Sequence, residues 1–147
     1  MTDFLSSIKS GIQSAVTREE NFLEIHDLFI TLKEQIDNFS EGKINIELVT
    51  LGGGPIGSAI LSPKNYFNDK SQLYRDKKLN VSSYDKSSTY TLTEIHFDRD
   101  NGYPCTILIN GDEFTSMNKE SLEDNIKMLL ASSRTGSALY SLLKKAP

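Results

Sequence analysis

The chain has 147 residues, of which 24% are charged and 37% hydrophobic, and a formal net charge of −4. That length suits one domain, 1–147, able to bury a core without staples, and a net negative chain repels the phosphates of nucleic acid at long range. The single cysteine, Cys105, excludes an internal disulfide, and no stretch approaches the roughly 18 apolar residues of a membrane-spanning helix.

The first residues, MTDFLSSIKSGIQSAV, carry an acid at Asp3, no early basic cluster and no continuous apolar run. They do not read as a signal peptide, so the expected location is the cytoplasm. Phe4, Leu5, Ile8, Ile12 and Val16 recur at helical spacing, which predicts a short amphipathic helix packed on the body. Lys9 is its only basic residue, which disfavours a helix lying on a membrane surface.

A second helix is predicted from the capping box TREE, with Thr17 and Glu20 exchanging hydrogen bonds at its start. Phe22, Ile25, Phe29, Leu32 and Ile36 then form one apolar face, and Gly42 suits a left-handed ending. Glu24, Asp27, Glu34 and Asp37 fall largely off that face. KINIELVTL alternates as a half-buried strand should. SAILS, stopped by Pro63, reads as a second short strand.

Between these two strands, Gly52, Gly54 and Gly57 spell a dinucleotide-binding fingerprint, G-x-G-x-x-G. That loop needs a helix after it to hold the pyrophosphate, and Pro63 leaves no room for one. Pro55 also removes an N–H. The expectation is a hairpin connection and no bound cofactor. Residues 63–86 read as a long polar loop with some helical turn at 69–76. Its Lys64, Lys70, Arg75, Lys77 and Lys78 are interleaved with Tyr66, Phe67 and Tyr74. This is the composition of a single-strand-binding surface, diluted by Asp69 and Asp76.

A meander follows: STYTLTEIHF, a turn at Asn101-Gly102, YPCTILIN, a second turn at Asn110-Gly111, then DEFTSM. Tyr103, Cys105, Ile107 and Ile109 share one face, and Pro104 should lie off the ladder. A two-residue turn at Asn101-Gly102 would set Cys105 opposite Asp98 and His96 opposite Ile107. A four-residue loop would set His96 opposite Cys105, the spacing of a nucleophile and its base. The chain closes with two helices. Asn118 caps the first, which buries Leu122, Ile126, Leu129 and Leu130. Ser133 or Thr135 caps the second, which buries Ala138, Leu139, Leu142 and Leu143. The expected class is α+β, an antiparallel sheet of about four to five strands with N-terminal and C-terminal helices packed on it.

Two His and one Cys are too few for an ordinary zinc site, and the spacing of Asp98, Asp100, Asp112 and Glu113 misses a calcium loop, so no metal is expected. Charge is segregated: residues 1–62 and 87–131 are each net −5, residues 63–86 and 132–147 each net +3. The reading that follows is a non-enzymatic, protein-binding module. Glu24, Asp27, Asp98, Asp100, Asp112 and Glu113 form its partner-binding surface for a basic protein. In size, charge and class the chain resembles immunity proteins, such as those paired with contact-dependent inhibition toxins. That likeness implies a basic toxin, for instance a nuclease, as the partner. A secretion chaperone or phage accessory protein has the same format. The alternatives are a small enzyme of unfamiliar type using His96, Cys105 or Ser58, and nucleic-acid binding through residues 63–86.

Overall fold

A computed structural model describes residues 2–51 and 73–145. The glycine loop at 52–57, the SAILS segment and residues 63–72 lie outside the described residues. Three helices and five strands make the α+β fold: α1 (Leu5–Ser40), β1 (Ile44–Thr50), β2 (Lys77–Ser83), β3 (Thr89–Asp98), β4 (Gly102–Ile109), β5 (Asp112–Ser116), α2 (Lys119–Ala131) and α3 (Ser133–Lys145). The sheet is an antiparallel meander in the order β1-β2-β3-β4-β5.

The two expected N-terminal helices are one helix of 36 residues, about 54 Å long at ~1.5 Å per residue. Nothing between Val16 and Arg18 breaks it. Gly11 alone costs only about 1 kcal/mol relative to alanine, and Thr17 sits mid-helix, not at a cap. Asp3 lies just before the helix, its Oδ1 accepting from Leu5 N–H at 2.9 Å. Glu41 (φ +55°) and Gly42 (φ +80°) end it in the left-handed region, with Gly42 N–H reaching Asp37 O at 3.0 Å. The buried row Phe22, Ile25, Phe29, Leu32 and Ile36 packs on the sheet. The row at 4, 8, 12 and 16 is centred roughly 100° away around the helix, so it does not continue onto that face.

Strand β2 corrects the reading of 63–86 as an irregular loop. Leu79 and Val81 pair with Leu48 and Ile46 of β1 and point into the core, while Lys78 and Asn80 point to the other face. Lys77, in the same phase as Leu79, is buried. Its Nζ donates to Arg75 O and lies 5.9 Å from the centre of the Phe97 ring. A lysine at an inward position masks the alternation that would have disclosed the strand.

The β3–β4 turn differs from both expected registers. Phe97 stands opposite Cys105 and Asp98 opposite Gly102, with Tyr103 and a cis-linked Pro104 taken up in the irregularity between them. The β4–β5 turn is as expected: Ile109 faces Asp112 across Asn110 (φ +54°) and Gly111 (φ +84°). Asn118 caps α2 by accepting from Ser121 N–H at 2.9 Å, and Ser121 Oγ returns a bond to Asn118 N–H at 3.3 Å. At α3 the cap is Ser132, one residue earlier than expected, its Oγ accepting from Thr135 N–H at 3.3 Å. Inward strand residues and the apolar faces of all three helices form one hydrophobic cluster. No helix among the described residues is long and apolar enough to cross a membrane.

Candidate protein-binding surface

Helix α1 carries Glu20, Glu24 and Asp27 at spacings of four and three, so they stack along one side. Asp27 is exposed, whereas Glu24 is half-buried. Glu24 Oε1 accepts from the Tyr103 hydroxyl at 2.8 Å. Burial first, and then this bond to a carboxylate, push the Tyr103 phenol above its ordinary range. The hydroxyl therefore stays a donor and holds Glu24 in place. Beside these acids, a groove of about 390 Å³ runs along the helix, lined by Glu20, Glu24, Asp27, Leu23, Leu28 and Lys119 among others. Its lining mixes three carboxylates with Leu23, Leu28, Thr31 and the Lys119 side chain.

The β3–β4 turn docks on the same helix. Arg18 Nε donates to Arg99 O at 2.6 Å, and Asn21 Nδ2 donates to Asn101 O at 2.8 Å. The Arg18 guanidinium also stacks 3.7 Å above the Tyr74 ring, which meets Phe22 edge-on at 5.0 Å between centres. At Gly102 (φ +91°) a side chain would stand 3.2 Å from Asn21 Cβ, so glycine sets how closely turn and helix approach. Asp98 shapes the turn, its Oδ1 accepting from the N–H groups of Asp100 (2.9 Å) and Asn101 (3.1 Å). Asp100 is exposed.

Of the six sequence-read acids, Asp98 and Asp100 sit on or beside the turn that docks against α1 at Arg18 and Asn21, and Glu24 is tied to Tyr103 just after that turn; Asp27, nine residues on from Arg18, lies on the opposite side of the helix from it. Asp112 and Glu113 do not join them. They are exposed at the β4–β5 turn, at the far end of an eight-residue strand, about 24 Å away at ~3.4 Å per residue. Glu20 is the acid that sequence reading left out. Assigned to the capping box at Thr17, it is instead the start of the acidic side, and its spacing to Glu24 was the available signal.

The His96–Cys105 pair of the catalytic alternative is not formed, and Ser58 lies outside the described residues. Cys105 is fully buried on the inner face, opposite Phe97, and burial pushes its thiol up to about 12. His96 lies one position out of phase, on the outer face. There its Nδ1 meets Asp76 Oδ2 at 2.9 Å and its Nε2 meets Glu94 Oε1 at 3.5 Å. Burial alone would raise the Asp76 carboxyl, but the Phe97 N–H at 3.0 Å and the His96 ring reverse this and hold it below its usual range. With carboxylates at both ring nitrogens, the imidazole has no nitrogen left facing a nucleophile. The Glu94–His96 spacing was legible as one strand face. Asp76 was not, because strand β2, which it immediately precedes, was unread.

Of the residues named for nucleic-acid binding, Lys64, Tyr66, Phe67 and Lys70 lie outside the described residues, and those within 73–86 are dispersed. Tyr74 packs on Phe22, Lys77 is buried, and only Arg75 and Lys86 of its basic side chains are exposed. Among the described residues no group of three or more His, Cys, Asp or Glu side chains is placed to hold a metal ion. No protein-family model, curated protein or solved structure matches the chain.

Proposed function

We propose that the chain is a non-enzymatic binding module whose acidic end meets a basic protein, in the manner of an immunity protein that neutralises a nuclease toxin in the cytoplasm. The observation that carries this reading is the docking of the β3–β4 turn on α1. It brings the turn that carries Asp98 and Asp100 against the helix that carries Glu20, Glu24 and Asp27, and these acids would present the binding surface. Exposed carboxylates on this helix and turn would complement a basic cleft, so the module would cover it without any chemistry of its own. Complementary charge raises association rates from about 10⁵–10⁶ to as much as ~10⁸–10⁹ M⁻¹s⁻¹ at low salt.

The test is surface plasmon resonance against the product of the adjacent reading frame. The expectation is tight 1:1 binding weakened by salt. Asp27→Lys with Asp100→Lys, both exposed and outside the docking bonds, should slow association at least tenfold, while Asp112→Lys with Glu113→Lys should change it less. No binding, or an on-rate indifferent to the first pair, overturns the proposal. Retention on heparin at physiological salt would favour the nucleic-acid reading instead.

A further inference from the structure

The first turns of α1 raise a separate question. From Thr2 to Val16 every residue is exposed, and Phe4, Leu5, Ile8, Ile12 and Val16 retain between 43% and 68% of their accessible surface. A helical segment without packing is marginal in water, and this one contains Gly11 and four serines. Five large apolar side chains on one side of such a segment call for a covering surface.

We propose that the cover is the same segment of a second copy, the two helices running antiparallel. Three observations select this occupant. The apolar row is symmetric about position 10, so that Phe4 of one copy meets Val16 of the other and Ile8 meets Ile12, as an isologous twofold contact requires. Residues 4, 8, 12 and 16 form a single i, i+4 ridge, the element that interdigitates with another ridge of its own kind, and Gly11 and Ala15 flank it with little bulk. The segment 2–17 carries only Asp3 and Lys9 and is itself neutral, in a chain of net charge −4. Antiparallel pairing sends the two acidic bodies to opposite ends of the contact, about 18 Å apart along the helix axis at ~1.5 Å per residue. That exceeds the ~8 Å screening length at physiological salt. A parallel pair would set the bodies side by side.

At roughly 100 Å² for each half-exposed side chain, the row offers on the order of 500 Å² per copy, the weak end of specific interfaces. An area of this size suits a weak dimer, and the test is set for a dissociation constant on the order of 10–100 µM. Sedimentation velocity on the full chain should show a monomer–dimer equilibrium over this range. Ile8→Glu with Ile12→Glu should shift it at least tenfold toward monomer while leaving the circular dichroism spectrum and thermal midpoint in place, because both side chains are exposed in the monomer. Orientation is read by oxidative cross-linking. Mixed Phe4→Cys and Val16→Cys chains should give the heterotypic disulfide in excess over either homotypic one. Monomer alone at about 200 µM, a dimer indifferent to the glutamates, or mainly homotypic cross-links would overturn the proposal.

Discussion

Replacing Gly102 with alanine tests how the acidic end is assembled. Two costs arise at this position. The backbone sits at φ +91°, where an L side chain meets the neighbouring carbonyl, a penalty of roughly 1–2 kcal/mol. The new Cβ would also stand 3.2 Å from Asn21 Cβ and 3.4 Å from the Phe22 ring. The turn must then move off the helix by a few tenths of an ångström, against packing that resists overfilling, for roughly 1–2 kcal/mol more. Gly111 separates the two costs, since it has φ +84° but nothing within 4 Å of an added Cβ. Gly102→Ala should lose about 2–4 kcal/mol and Gly111→Ala about 1–2 kcal/mol. At 2–4 °C per kcal/mol for a chain of this size, the thermal midpoint falls by about 4–16 °C in the first case and 2–8 °C in the second. Paired urea and thermal unfolding curves followed by circular dichroism give the comparison. Equal losses in the two variants would refute the idea that turn and helix are in close register.

Acid should find His26 before it finds the carboxylates. This ring is buried with Nδ1 2.7 Å from Phe22 O, and desolvation, assisted by the charge of Lys77 and opposed by that carbonyl, lowers its pKa from 6.5 to about 4. Because the unfolded chain binds the proton first, stability is full above pH 6.5 and is lost as pH falls toward 4, by up to about 1.4 kcal/mol per pH unit. Urea unfolding between these limits should show that slope, and His26→Leu should flatten it; an unchanged slope assigns the effect to other groups. The Cys105 thiol should resist Ellman's reagent in the native protein at mildly alkaline pH and react fully in guanidinium chloride, and fast native labelling would place it at the surface. Asn118→Ala should cost about 1 kcal/mol in urea unfolding by removing the α2 cap, with Asn118→Asp close to neutral; equal losses would mean the side-chain acceptor is not what matters.

Legibility in the sequence tracked how local each determinant is. The Asn118 cap, the Asn110-Gly111 turn and the inward set Tyr103, Cys105, Ile107 and Ile109 depend on neighbours a few residues away, and all are where the pattern put them. The continuity of α1 was missed because two apolar rows at different angles look like two helices. Only the second row has a sheet beneath it. Strand β2 was missed because Lys77 occupies a core position. At the β3–β4 turn, a favoured dipeptide suggested a register that the Tyr103-Pro104 irregularity overrode. The acids themselves were visible, but their grouping was not. It depends on Arg18, Asn21 and Glu24 reaching backbone and side chain about 80 residues further on.

The meander has a consequence for how the molecule assembles. Each neighbour in β2-β3-β4-β5 is also the next strand along the chain, so these ladders close through short loops at little entropic cost. Helix α1 meets β4 only across some eighty residues, a contact whose reward comes after that long closure. Helix α1 also packs on β1, the strand that directly follows it, so its two sheet contacts differ in reach: the one with β1 is local, and the one with β4 closes late. Of the contacts beneath α1, those with β4 are then the ones whose amides should exchange soonest when the native state opens.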